Sequence, residues 1–371
     1  MGRGPGVAWA GAAATFIGIG LARFAFVPLF PAMVSAGWVD GGGAGLLGAT
    51  TLAGYLPGVL MGQRLARAIG TARVLDLAIG LVVLAFAACA WNGGLWWLLP
   101  WRGAVGVAGG WVMALAAPAT QAELPPERRG MVAGMVIGGV ASGIWVGALL
   151  MPWLLLRGPG PAWAALAAIA GALWLVARPR WPRAVLPPLR AGAGWSPLLT
   201  AYLLSGAGMV PPMVYLSDLV ARGHGLGLSA GSLAWALFGL GGLGGALLGG
   251  RVAQAMGGAR AAMLWLLAQV LGMAGLTLPW PWLVWPGAAL AGFAGIGVTA
   301  VLLVLLRERH GADAPALWAR GTAGYALGQA AGAFLLAAIF AMTHESHAAV
   351  FGAGLLVSLG AVWVMREAMT P

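Results

Sequence analysis

The sequence predicts an all-α polytopic membrane protein with twelve transmembrane helices, and its composition is the first reason. Hydrophobic residues make up 61% of the 371 residues and charged residues only 8%, whereas soluble proteins contain about 25% charged residues. A surface with so few charges must mostly face lipid. The 20 tryptophans suit a membrane–water interface, and the 63 glycines suit close packing between membrane helices.

Twelve apolar runs are the second reason, because each is close to the roughly 20 residues that a helix needs to cross a bilayer. The runs lie near residues 8–35, 44–63, 72–91, 95–120, 131–156, 161–177, 196–220, 230–252, 259–278, 283–306, 319–342 and 348–366. They are continuous rather than alternating, which favours helices over the strands of a membrane barrel.

The placement of arginine orients these spans. The chain contains no lysine, and sixteen of its 20 arginines fall in cytoplasmic connections if the N-terminus is cytoplasmic. Only Arg157 and Arg222 fall on the other side, and Arg23 and Arg102 lie inside spans. By the positive-inside rule, both termini are predicted to lie in the cytoplasm, with the protein in a bacterial inner (plasma) membrane.

The chain is also predicted to consist of two halves. Residues 178–195 contain four arginines and four prolines and follow the sixth span. We interpret this stretch as a cytoplasmic linker between an N-terminal six-helix bundle, 1–177, and a C-terminal one, 196–371.

An internal repeat supports the division into halves. A set of glycines and one arginine near the end of the second span recurs in the eighth span at a constant offset of 187 residues (241 minus 54): Gly54, Gly58, Gly62 and Arg64 align with Gly241, Gly245, Gly249 and Arg251. Glycines four residues apart share one helix face and permit close helix contact. Parallel six-helix repeats are the plan of one large class of transporters.

Two motifs resemble the major facilitator superfamily, and the likeness extends over essentially the whole chain. The stretch GQRLARAIGTAR, Gly62 to Arg73, is similar to the family's signature turn between the second and third spans. In the fourth span, Arg102-Gly-Ala-Val-Gly-Val-Ala-Gly is similar to its Arg-x-x-x-Gly-x-x-Gly motif. The opening GIGLARFAFVPLFPAM, from Gly18, looks like that of the YbfB-like branch.

The resemblance implies the major facilitator fold, alternating access and a gating loop, but no particular cargo. The expected gating residues are Gly62, Arg67, Gly70 and Arg73. The acidic residue of the family's turn is missing here, with Ala66 nearest to its place, so Asp76 is the candidate substitute. By the same resemblance, Arg102 belongs to a motif associated with conformational coupling; the alternative is an arginine that snorkels to the outer surface.

Charged side chains inside spans are costly and usually face a water-filled cavity. Arg23, next to Phe24, is the candidate ligand for an anionic group; alternatively it braces the helix against neighbouring carbonyls. Asp218 is a candidate proton site or counter-charge for an arginine, or else a carboxylate at the outer boundary. The polar residues Tyr55, Tyr215, Tyr325 and Gln329 are candidate substrate contacts, although a membrane glutamine also serves to join helices.

Function is therefore predicted as secondary active transport of a small anionic or zwitterionic organic solute, with proton coupling left open. The alternatives are a multidrug or metabolite efflux pump of the same fold, a polytopic membrane enzyme and a non-transporting sensor. The expected partners are the lipid bilayer, a small-molecule substrate and, if transport is coupled, protons.

No catalytic residue, metal site or cofactor is expected, and the chain is expected to be a monomer. Its net charge of +11 comes from arginines scattered singly rather than from a basic face, so nucleic acid is not an expected partner. The stretch from His344 to His347 is interpreted as a solvated turn.

Overall fold

The computed structural model describes residues 4–186 and 194–369, and within these residues all regular structure is helical. Twelve helices in the described ranges are long and apolar enough to cross a membrane. They are numbered as spans one to twelve and run Gly6–Ser35, Gly41–Ile69, Thr71–Cys89, Gly94–Ala122, Gly134–Arg157, Pro159–Arg180, Pro197–Gly223, Gly227–Met256, Gly258–Thr277, Pro281–His310, Ala316–Met342 and His347–Glu367. Each contains or closely matches a predicted run, so the twelve-span prediction is confirmed.

The chain divides into two compact units, Met1–Pro188 and Leu189–Pro371. The first contains spans one to six and the second spans seven to twelve. The α-helix of the sixth span ends at Ala177, followed by a single 3₁₀ turn, Arg178–Arg180. Residues 187–193 of the predicted linker, and Arg3 near the N-terminus, lie outside the described residues. The cytoplasmic placement of the linker and termini stays a prediction.

The described start of the linker packs against the first unit. Trp181 is 4% exposed. The Thr71 hydroxyl donates to the carbonyl of Ala184 at 2.6 Å, and the Ala184 N–H donates to Glu123 at 2.9 Å. These bonds fix the chain where it leaves the sixth span.

The first span is irregular just before Arg23. The Thr15 hydroxyl lies 2.5 Å from the carbonyl oxygen of Val136 in the fifth span, and a π-helical turn, Phe16–Leu21, follows. A π turn inserts one extra residue and re-aims the side chains beyond it. Arg23 comes two residues after the end of this turn, so its direction depends on the packing of the first span on the fifth.

Glycine contacts repeat between the two units, which extends the sequence repeat to helix packing. A methyl group added to Gly58 in the second span would lie 2.3 Å from the carbonyl oxygen of Val107 in the fourth. In the second unit, one added to Gly245 in the eighth span would lie 2.0 Å from the carbonyl oxygen of Phe293 in the tenth. The two helix pairs therefore approach too closely for any side chain at these positions.

The stretch from Gly62 to Arg73 differs from the predicted turn. The second span continues as helix to Ile69, and the third begins at Thr71, so the break is Gly70 alone, with φ +94°. Its repeat partner Gly257 has φ +88°. The hydropathy pattern placed the end of the second span too early. The helix continues through a stretch that contains arginines, so the apolar character ends before the helix does.

Candidate substrate and coupling sites

Three predicted substrate-binding residues lie together in the first unit. The guanidinium carbon of Arg23 is 5.0 Å from the ring centroid of Phe24 and 5.0 Å from that of Tyr55. Both rings are buried, whereas Arg23 is partly exposed. Aromatic faces at this distance stabilise a cation without neutralising its charge. The arrangement presents a positive charge of fixed position within a membrane span.

Arg102 lies beside this group and is 1% exposed. Its NH1 donates to the carbonyl oxygen of Ala22 at 3.2 Å. Its guanidinium carbon lies 4.6 Å from the ring centroid of Phe26 and 5.5 Å from that of Trp163. An arginine this deeply buried does not snorkel to the surface. Arg102 thus makes a bracing contact with the first span, at the carbonyl of the residue that precedes Arg23.

The remaining donors of Arg102 are unsatisfied within the described part of the chain. Its Nε and NH2 atoms are buried and have no hydrogen-bond partner among the described residues. None of the ion pairs found among those residues involves Arg102. The first unit therefore buries a cation that is held by aromatic faces and one carbonyl. Its coupling role stays a prediction.

Asp218 lies at the end of the seventh span with its side chain fully buried. Arg222, one helical turn later, donates to both carboxylate oxygens, from Nε to Oδ1 at 2.5 Å and from NH2 to Oδ2 at 2.7 Å. His347, at the start of the twelfth span, places Nε2 2.8 Å from Asp218 Oδ2. Of the readings open for Asp218, a counter-charge for an arginine fits this geometry, while a proton site and a place near the outer boundary stay predictions.

Glu345 completes this group of charges by accepting from NH1 of Arg222 at 2.6 Å. His344 and Glu345 have φ values of +52° and +63°, and this left-handed turn brings the Glu345 carboxylate to Arg222. The expectation of a solvated turn fits His344, which is exposed. It was wrong for His347, whose side chain is 12% exposed and contacts Asp218.

Sequence reasoning missed these partners of Asp218. The spacing of four residues between Asp218 and Arg222 was visible, since side chains four apart on a helix are neighbours. His347 could not be found in this way, because its contact joins helix ends 129 residues apart.

The three remaining predicted substrate contacts lie in the second unit. Tyr215 is fully buried, and its ring centroid is 4.9 Å from that of Phe340. Tyr325 packs on Tyr202 of the seventh span, with ring centroids 4.6 Å apart. The Nε2 atom of Gln329 lies 3.1 Å from the Sδ atom of Met213, which also belongs to the seventh span. Tyr325 and Gln329 thus share a helix face, as their spacing predicts, and that face packs on the seventh span.

Asp76, the candidate substitute for the missing gating acid, faces the sixth span and the start of the linker. Its Oδ1 accepts from the indole N–H groups of Trp174 at 2.8 Å and Trp181 at 3.3 Å. Its Oδ2 lies 3.3 Å from NH2 of Arg178. The signature arginines Arg67 and Arg73 are exposed. A gating role for these residues stays a prediction.

No group of three or more histidine, cysteine, aspartate or glutamate side chains in the described ranges could hold a metal ion.

Comparison with known families gives one match over most of the chain. The model of the family described as "Uncharacterised MFS-type transporter YbfB" matches residues 15–365. No curated protein matches the sequence significantly.

Solved structures of transporters resemble the described fold. The nucleoside transporter NupG is 11% identical, with 100% of each chain covered and a TM-score of 0.75. The xylose transporter XylE from E. coli, in a partially occluded inward-open conformation, is 12% identical, with 100% of each chain covered and a TM-score of 0.75. A bacterial homologue of the human lysosomal transporter Spinster is 14% identical, covers 99% of this chain and 95% of that one, and has a TM-score of 0.68. At such identities the likeness shows the fold alone.

Proposed function

This chain belongs to the YbfB-type family of major facilitator superfamily transporters, and we propose that it moves a small anionic or zwitterionic organic solute by secondary active transport. The family and the fold are those of transporters rather than enzymes. Alternating access and an inner-membrane location fit this fold. The charge of the solute belongs to the proposal.

The placement of Arg23 is the observation that supports an anionic group on the solute. Its guanidinium is partly exposed within a span and framed by Phe24 and Tyr55. Guanidinium groups bind carboxylates with paired, charge-assisted hydrogen bonds. Arg102 adds a second positive charge to the same unit, and the buried acid of the other unit, Asp218, is already paired with Arg222. A solute with a carboxylate group would match this excess of positive charge.

A ligand screen tests the class of solute. The purified protein is heated with lactate, succinate, glutamate, xylose, uridine or tetraphenylphosphonium, because a bound ligand raises the unfolding temperature. We expect the carboxylates or glutamate to raise it most. Xylose and uridine represent the neutral solutes named for the structural neighbours, and tetraphenylphosphonium represents efflux of lipophilic cations. A response only to these three would contradict an anionic solute.

Substitution of Arg23 tests its role in proteoliposomes loaded with the solute that gives the largest response. Arg23→Gln removes the charge and should reduce uptake at least tenfold, because a charge-assisted bond contributes about 1.5–3 kcal/mol. Arg23→Lys should retain part of the uptake. Arg157→Gln removes an exposed arginine outside the helical core and serves as the matched control. Unchanged uptake by Arg23→Gln would count against the proposal.

A further inference from the structure

The second unit contains a group of four charged or titratable side chains where the seventh and twelfth spans meet. We call it the carboxylate–imidazole cluster, and it consists of Asp218, Arg222, Glu345 and His347. Arg222 bonds to both carboxylates, and His347 bonds to Asp218 alone. The Asp218 carboxyl is fully buried, and the exposed fractions of the other three side chains range from 12% to 32%.

The charge balance of the cluster depends on one proton. Two carboxylates and one guanidinium give a net charge of −1 when the imidazole is neutral. Protonation of the imidazole brings the sum to zero, and burial favours the neutral sum because charge is costly away from water. The guanidinium does not lose its proton in proteins. Imidazole is the side chain that ordinarily changes charge between about pH 5 and pH 8.

The ring of His347 is held in place on several sides. The ring of Phe340 meets it edge-on, with centroids 5.1 Å apart. A methyl group added to Gly223 would lie 2.9 Å from its Nδ1, so glycine makes room for the ring. This fixed position keeps Nε2 on the Asp218 carboxylate whichever protonation state the ring has.

The other titratable groups near His347 do not compete for the proton. Tyr215 packs on Phe340, and a phenol stays neutral at these pH values. His344 is exposed in the adjoining turn. Burial, and the charge of His347, lower the pKa of His224, which follows Gly223. A charge on His347 therefore disfavours a second charge on His224. The facing part of the eighth span contains no charged residue, since Arg251 lies near its other end.

We propose that the carboxylate–imidazole cluster is a proton-binding site. One proton binds to the His347 ring and converts it to an imidazolium. The hydrogen bond to Asp218 then becomes an ion pair. The protonated state joins the start of the twelfth span more tightly to the end of the seventh. As the source of a coupling proton the cluster rests on the proposed transport function, whereas proton binding itself does not.

Thermal unfolding of the purified protein between about pH 5.5 and pH 8.5, across the range where imidazole titrates, tests proton binding without any solute. The sign follows from the charges: the ion pair is present at acid pH and is lost as the pH rises. Wild type should unfold at a higher temperature at pH 5.5, with a difference of several degrees. His347→Gln keeps an N–H that can reach Asp218 but cannot take up a proton, so its midpoint should respond much less to pH.

His344→Gln is the matched control, because it removes an exposed histidine from the same turn and should respond to pH as wild type does. The proposal would be overturned if the unfolding temperature of His347→Gln depended on pH as strongly as that of wild type. It would also be overturned if His344→Gln lost this pH dependence. NMR of histidine-labelled wild type, which has four histidines, covers the case in which His347→Gln does not fold. Gly223→Ala displaces the His347 ring, so one of the four ring transitions should shift in this variant while the other three stay unchanged. If none of the four transitions shifts in Gly223→Ala, the proposal is overturned.

The outcomes separate this proposal from the transport function. Absence of solute flux in proteoliposomes, together with a flattened response in His347→Gln, would contradict the transport proposal and uphold the proton site. Flux together with a wild-type pH response in His347→Gln would contradict only the proton site.

Discussion

The two units bury charge in opposite ways. In the first, the Arg102 guanidinium is 1% exposed and lies against two aromatic rings and one backbone carbonyl. In the second, the Asp218 carboxylate is fully buried and bonds to Arg222 and His347. One unit holds a cation without a carboxylate among its described contacts, and the other holds an anion whose charge is compensated.

The two units differ in this way although they share a pattern of close helix packing at glycine. Gly58 and Gly245 occupy equivalent positions of the repeat and make the same contact with a neighbouring carbonyl. Helix packing therefore stayed similar between the units, while the charged side chains diverged. Under the two proposals above, the first unit binds the anionic group of the solute and the second binds the proton.

The largest effect is expected for Asp218→Leu. This change removes the acid and leaves Arg222 and His347 without their common partner. Breaking a buried ion pair from one side costs about 3–5 kcal/mol, so the free energy of unfolding should fall by about 3 kcal/mol or more. Unfolding in detergent, followed by heat or denaturant, measures the loss.

Arg102→Met gives the contrast, because it removes a buried cation that has no described counter-charge. The loss of the contacts with Phe26 and Trp163 is offset by the removal of a charge that costs about 2.5–3.5 kcal/mol at a helix centre. Arg102→Met should therefore unfold at no lower temperature than wild type, while transport falls if the residue has its predicted coupling role. Equal destabilisation by Asp218→Leu and Arg102→Met would contradict the proposed difference between the two buried charges.

The sequence predicted those features that depend on local pattern, and it missed those that depend on distant contact. Apolar length located all twelve spans, and glycine spacing located the repeat. The grouping of Arg23 with Phe24 was visible because they are adjacent, but the contact of Arg102 with Ala22 joins residues 80 positions apart. His347 was assigned to a solvated turn for the same reason. The residues that precede it in the sequence are polar, whereas its neighbours in space are Asp218 and Phe340.

An intermediate effect is expected where the two units agree. Gly245→Ala places a methyl group 2.0 Å from the carbonyl oxygen of Phe293 and must push the eighth and tenth spans apart. Overpacking of this kind costs about 1–3 kcal/mol, and Gly58→Ala should lose a similar amount against Val107. Thermal unfolding compares them with Gly250→Ala, where the space around the added methyl is open. A loss in Gly250→Ala equal to that in Gly245→Ala would show that the close contact is not the cause.

Among the variants expected to lose stability, Asp76→Ala should lose the least, although Asp76 also makes several bonds. Its side chain is 31% exposed, and that of its partner Arg178 is 48% exposed. Water screens such a pair, so the free energy of unfolding should fall by less than about 1 kcal/mol.

The bonds of Asp76 instead restrain a segment, because Trp181 donates its indole N–H to this carboxylate at 3.3 Å. Maleimide labelling of Ala184→Cys, in a Cys89→Ser background, reports the release of that segment and should become faster when Asp76→Ala is added. Glu127→Ala removes another exposed acid of the same unit and should leave the labelling rate unchanged. A labelling rate that does not respond to Asp76→Ala would show that Thr71 and Glu123 hold the segment without it. The same carboxylate chemistry thus contributes folding stability at Asp218, where water is excluded, and local restraint at Asp76, where water is not.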